Sequence, residues 1–133
     1  MKGLFARDWA ALAQVFAFLD EFAAAHQLDE PVRYTVALAV EELFTNMVKY
    51  HGDGAPEIPL RAEVVDGAVR IVLEDHDVER FDITEVPARD IDKPAPQRRP
   101  GGLGIHLVRE MMDDFRYEYK DRCGTITIVK RLE

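Results

Sequence analysis

The chain has one cysteine, Cys123, among 133 residues, so it can form neither an internal disulfide nor a cysteine-based metal cluster. A reactive thiol needs a base beside it. Gly124 and Thr125 supply none in sequence, and Cys123 reads as a structural thiol in a turn. Basic residues are also in deficit: 17 Lys and Arg stand against 25 Asp and Glu, a formal net charge of -8. Such a chain repels nucleic-acid phosphates and anionic membrane surfaces, which argues against direct nucleic-acid or membrane binding. Long apolar runs are missing too. The opening Met1-Lys2-Gly3-Leu4-Phe5-Ala6-Arg7-Asp8 lacks the apolar stretch of a signal peptide, and no later segment approaches the length of a membrane span. A soluble, cytoplasmic protein is expected. Several catalytic templates are absent as well: no phosphate-binding GxxxxGK loop, no GxGxxG after an opening strand, no GxSxG elbow and no HExxH. His26, His51, His76 and His106 show no metal-ligand spacing and read as surface or packing residues.

What is present suits one compact domain over residues 1–133, with 47% hydrophobic and 32% charged residues. Asp8 can cap a helix in which Leu12, Val15, Phe16, Leu19, Phe22 and Ala23 recur at intervals of three and four. Asp29-Glu30-Pro31 opens a second, longer helix running to about Tyr50, because acids suit the helix dipole and proline is tolerated in the first turn. His51 to Pro59 is a loop by its glycine and proline content. Leu60, Ala62 and Val64 then alternate with polar residues, and Asp66-Gly67 turns the chain into Val69, Ile71 and Leu73, which predicts a hairpin. Residues 82 to 102 carry four prolines and no periodicity. They form a loop too long for an ordinary connection, read as a lid. A short helix over Gly104 to Met112 follows, with Leu107 and Met111 widening its apolar face. Phe115, Tyr117 and Tyr119 alternate, and the turn Asp121-Arg122-Cys123-Gly124 leads into a last strand from Thr125 to Arg131. The order predicts an α+β two-layer sandwich: a largely antiparallel mixed sheet with helices on one face.

Three clusters could carry chemistry. Glu42 and Asn46 are four apart in the long helix, one turn from each other on one face, with Lys49 close to that line. A carboxylate and an amide oxygen so placed suit Mg2+, a hard ion that keeps waters and phosphate oxygens. A solvated polar face fits the same spacing. Arg98-Arg99-Pro100-Gly101-Gly102-Leu103-Gly104 runs straight into the third helix. Glycines admit a ligand close to the backbone, free amides at a helix start attract phosphate, and the arginines add charge-assisted contacts. A flexible linker fits this stretch as well. Asp75, at the end of a buried strand, can accept from an exocyclic amine such as that of adenine. An acidic turn at the sheet edge is the other reading.

In order and spacing the three clusters resemble the N, G1 and G2 boxes of the GHKL superfamily of histidine kinase-like ATP-binding domains, over nearly the whole chain. Glu41 to Tyr50 is similar to the N box of the anti-sigma-factor serine/threonine kinases. The resemblance implies a GHKL (Bergerat) ATP-binding fold, with Asn46 on Mg2+ and Glu42 as general base. Leu73-Glu74-Asp75 resembles the G1 strand end whose aspartate contacts adenine, and Phe81-Asp82 the Phe-Asp pair that follows it. Pro100 to Val108 resembles the G2 box, in which Gly102, Leu103 and Gly104 meet the phosphates with Arg98 or Arg99, and Gly124-Thr125 resembles the closing G3 turn. Asp77 stands where the family has glycine, and the spacing to Phe81 is one residue longer. The implied activity is phosphoryl transfer from Mg-ATP to a STAS-type anti-sigma-factor antagonist, with a sigma factor as regulated target and a homodimer as assembly. The alternative is a non-catalytic partner-switching module with weakened or lost nucleotide binding. Either reading requires the second helix, the first hairpin's tip and the glycine-started third helix to line one cleft.

Overall fold

Two tight turns fix the sheet. Asp66 and Gly67 have φ of 54 and 73, and Asp121 and Arg122 have φ of 52 and 60. Two-residue loops with both φ values positive match the twist of the strands they join. The second turn therefore closes at Arg122, two residues earlier than its composition suggests, and Cys123 already belongs to the strand, paired with Lys120.

The computed structural model describes residues 1–82 and 102–132, residues 102–104 by their backbone only. In chain order the elements are β1 (Lys2–Ala6), α1 (Leu12–Ala25), α2 (Glu30–Tyr50), β2 (Glu57–Val65), β3 (Ala68–His76), α3 (Gly102–Met111), β4 (Asp114–Lys120) and β5 (Cys123–Arg131). The lid reading of 82–102 falls outside the described residues from 83 to 101. Asp8 caps a single 3-10 turn, Trp9–Ala11, through the Ala10 amide at 3.2 Å, and α1 proper follows it. Asp29 caps α2 through the Val32 amide at 3.3 Å.

The five strands lie in the order β1-β2-β3-β5-β4, and each of the four pairings is antiparallel. This is the expected α+β sandwich, with β3 at its centre. Ile58 and Leu60 of β2, Ile71 and Leu73 of β3, and Ile126 and Ile128 of β5 bury one sheet face. Against it pack Val15, Leu19 and Phe22 of α1, Val40, Leu43 and Phe44 of α2, and Ile105 and Val108 of α3, in one core. Strand β1 was not anticipated. Its burial alternates, with Gly3 and Phe5 turned inward, but Leu4-Phe5-Ala6 is a continuous apolar run with no apolar and polar alternation to read, and the pairing with β2 is the long-range fact that creates the strand. Leu107, expected to widen the apolar face of α3, is exposed. Among the described residues no helix is long and apolar enough to cross a membrane.

Candidate functional site

Asn46 lies on the buried arc of α2, beside the apolar residues rather than away from them. Its Nδ2 donates to the Glu42 carbonyl at 2.5 Å. A carbonyl oxygen only accepts, so this bond settles which end of the amide faces the helix and leaves Oδ1 available as an acceptor. Glu42, one turn earlier, is half-buried, and burial first and the Glu41 charge second raise its pKa above the usual glutamate range.

Asn46, Met47 and Tyr50 line a cavity together with His51, Asp75, Val78 and Phe81, and with Tyr117, Gly124 and Ile126 of the last hairpin. The open end of the first hairpin, at Asp75, reaches this cavity; its Asp66-Gly67 tip joins β2 and β3 at their other ends. Asp75 is 4% exposed on the central strand, opposite Gly124. The sheet-edge reading of Asp75 is thereby excluded.

A buried carboxylate needs partners, and Asp75 has two that the sequence did not reveal. Arg7 Nη1 lies 2.7 Å from Oδ1, and His51 Nδ1 lies 2.5 Å from Oδ2. The Arg7 side chain is 3% exposed, its Nε donates to the Ala55 carbonyl at 2.7 Å, and its Nη2 is buried with no hydrogen-bond partner. Arg7 thus ties the end of β1 to the loop after α2 and to the central strand. His51, read as a surface or packing residue, belongs to the cavity wall. The only sequence signal for either was position: Arg7 follows a strand too weakly patterned to recognise, and His51 follows the last residue of α2.

Gly54 leaves room for this ion pair. A Cβ there would lie 2.7 Å from the Arg7 guanidinium and 2.9 Å from Val78. The guanidinium is held by buried partners and cannot swing aside, so Gly54→Ala should cost about 1–3 kcal/mol, read as a lower urea midpoint at unchanged m-value.

Of the other residues singled out in sequence, Phe81 sits at the cavity with its ring edge-on to His51 at 6.1 Å. Its backbone N–H donates to the Tyr117 hydroxyl at 3.1 Å. Lys49 is exposed, its Nζ 5.4 Å from the Tyr50 ring centre. Thr125 alternates with the cavity-lining Gly124 and Ile126, so it faces the opposite side of the sheet, opposite Glu74. Gly102, Leu103 and Gly104 form the first turn of α3. Arg98 and Arg99 lie outside the described residues.

The family profile described as "Histidine kinase-like ATPase domain" matches residues 5–130. The chain belongs to that family. Curated relatives include the serine-protein kinase RsbW of Listeria monocytogenes, 29% identical over 95 residues, and that of Listeria innocua, 26% identical over 95 residues. Each alignment spans 67% of this chain and 60% of the relative. Among solved structures, the histidine kinase domain of the Erythrobacter litoralis EL346 blue-light activated histidine kinase aligns with TM-score 0.54 at 16% identity, covering 92% of this chain and 60% of that one. Acinetobacter baumannii histidine kinase AdeS aligns with TM-score 0.54 at 15% identity, covering 100% of this chain and 68% of that one. These two likenesses concern the fold.

The segment after β3 carries the departure expected from the sequence resemblance. Asp77, at the position of the usual glycine, adopts φ 59, the left-handed region that glycine enters without strain. Val78, next in the chain, is buried, donates its N–H to the Arg122 carbonyl at 3.0 Å and accepts from the Tyr119 hydroxyl at 2.8 Å. Asp77→Gly should therefore stabilise the fold by about 0.5–1 kcal/mol, measured by thermal melting, because relief of the left-handed strain exceeds glycine's added chain entropy.

Proposed function

We propose that this domain binds Mg-ATP and transfers the γ-phosphoryl group to a serine or threonine of a partner protein, as an anti-sigma regulatory kinase. The partner is a small STAS-type anti-sigma-factor antagonist, a sigma factor is the regulated target, and the setting is the cytoplasm. The observation that carries the reading is the arrangement on α2: a buried Asn46 whose amide nitrogen is bound to its own helix, with Glu42 one turn away and Asp75 across the cavity. The serine-protein kinase name of the relatives supports the same class of reaction.

The donor set fits a hard divalent cation, since Asn46 Oδ1 is an uncommitted oxygen and Mg2+ takes few protein ligands. Bound Mg2+ would neutralise phosphate charge. Asn46 holds the metal–phosphate assembly, Glu42 accepts the proton of the acceptor hydroxyl, and the Gly102–Gly104 turn of α3 offers its amides to phosphate. Arg98 or Arg99 offsets the charge on the transferred group. Lys49, Phe81 and Thr125 complete the nucleotide-binding set assigned by resemblance, with Thr125 the weakest member because it faces away from the cavity.

The contacts of Asp75 with Arg7 and His51 favour a second reading: a partner-switching module that has lost nucleotide. Calorimetric titration with Mg-ATP decides between them. Saturable binding together with transfer of labelled phosphate to a STAS protein supports the kinase; no heat at millimolar nucleotide ends it in favour of the binding module. Binding and hydrolysis without protein labelling assigns the domain to another pathway.

A further inference from the structure

On the sheet face turned away from the helices, Glu74 and His76 are alternate residues of β3, and Cys123 of β5 is paired with His76. Glu74 Oε1 lies 2.9 Å from His76 Nε2, His76 Nε2 lies 3.9 Å from Cys123 Sγ, and the three atoms all fall within 4.8 Å of one another. We propose that Glu74, His76 and Cys123 form a Zn2+ site with three protein ligands and one open position. Neither the phosphoryl-transfer chemistry nor the cavity on the other face uses these residues.

The distances lie near those that the ion demands. With zinc–oxygen and zinc–nitrogen bonds of about 2.1 Å and a zinc–sulfur bond of about 2.3 Å at tetrahedral angles, ligand edges come to about 3.4 Å for O to N and about 3.6 Å for N to S. The observed 2.9 and 3.9 Å differ from these in opposite directions, so a small turn of the His76 ring brings both into range. The donor set is also selective: thiolate, imidazole and carboxylate together suit Zn2+, whereas Mg2+ takes oxygen alone. Two hydrogen-bonded central strands hold the ligands, so little chain entropy is lost on binding.

Binding is a proton exchange. Burial keeps the Cys123 thiol protonated, its pKa raised above the ordinary range; the ion takes the thiolate and the proton leaves to solvent. His76 Nε2 gives its lone pair to the metal in place of its hydrogen bond to Glu74, whose carboxylate becomes the third ligand. The half-exposed site leaves the fourth position to water or to a donor from a partner protein. This corrects the expectation that Cys123 has no base near it: strand pairing puts His76 there, which spacing along the chain could not disclose.

The test is titration of the reduced, chelator-free protein with Co2+, then displacement by Zn2+. A one-to-one complex with thiolate-to-cobalt charge-transfer absorption is expected, unaffected by millimolar Mg2+. Cys123→Ser should abolish that absorption. His76→Ala and Glu74→Gln should each weaken Zn2+ binding about tenfold or more, since loss of even an outer partner costs about 10–100-fold. Circular dichroism checks that each variant is folded. Absence of the charge-transfer band in the folded wild-type protein, displacement of Co2+ by Mg2+, or undiminished Zn2+ affinity in folded Cys123→Ser overturns the proposal.

Discussion

Replacing Arg7 with methionine is expected to lower the unfolding free energy by about 3–5 kcal/mol, the usual result of removing one partner from a buried ion pair. For a domain of this size that lowers the melting temperature by something on the order of 10 °C. Asp75 would remain at 4% exposure on the central strand with His51 as its one remaining partner. Asp75→Asn should be as costly, because the guanidinium then stays buried and cannot shed its charge. The pair is testable as a pair. In the double variant Arg7→Met/Asp75→Asn neither unbalanced charge remains, so its loss should be well below the sum of the two single losses, by more than about 1 kcal/mol of coupling. Additive losses in urea titrations would mean that the 2.7 Å contact carries no specific energy. The Arg7 result also bears on β1, because Arg7 directly follows that strand and its Nε anchors the Ala55 carbonyl.

What the sequence disclosed follows the range of the forces involved. The helices α1 and α2, both turns and most strands are written in local terms: Asp29 as cap, apolar residues at helical spacing, Asp66-Gly67 at a position needing positive φ. The fold class followed from their order. The features that escaped are those made by pairing across long separations. Phe5 is buried only because β1 finds β2 some fifty residues later, and nothing in its neighbours forecasts that. The same limit governs the site. Glu42 and Asn46 are neighbours on one helix, so their spacing could be read; Arg7, His51 and Asp75 come from three segments and meet only in the folded chain. Thr125 shows the converse. Its likeness to a motif could be read along the chain, yet strand alternation turns it from the cavity, and register is a tertiary fact set by the pairing with β3. Asp77 lies between these cases: the missing glycine was visible in sequence, but that the backbone keeps glycine's conformation was not.

Under the proposed phosphoryl transfer, Glu42→Gln is expected to slow phosphorylation of the partner protein by roughly 100- to 10,000-fold, the usual worth of a positioned general base, while Mg-ATP affinity changes little. The isosteric amide keeps the volume and leaves the main-chain bond between Glu42 and Asn46 intact. Lost rate then reports lost basicity rather than a displaced metal ligand. The pH dependence gives an independent reading of the same group. Burial, then the Glu41 charge, raise the Glu42 pKa. A base must be ionised, so the rate should fall as pH drops through that raised value, at a higher pH than an ordinary glutamate would give, and the residual activity of Glu42→Gln should lack that limb. Stability carries the opposite sign. Between its unfolded and its raised folded pKa, Glu42 binds more protons in the native state, so its contribution to stability diminishes as pH rises and is lowest above the folded value. Glu42→Gln should therefore be more stable than the wild type at neutral pH, and the advantage should fade as the solution is acidified below the usual glutamate range. Loss of rate together with gain of stability at neutral pH marks a carboxylate kept in poor surroundings for its chemistry. A variant that keeps full rate, or that loses both rate and stability at neutral pH, removes Glu42 from the role of base.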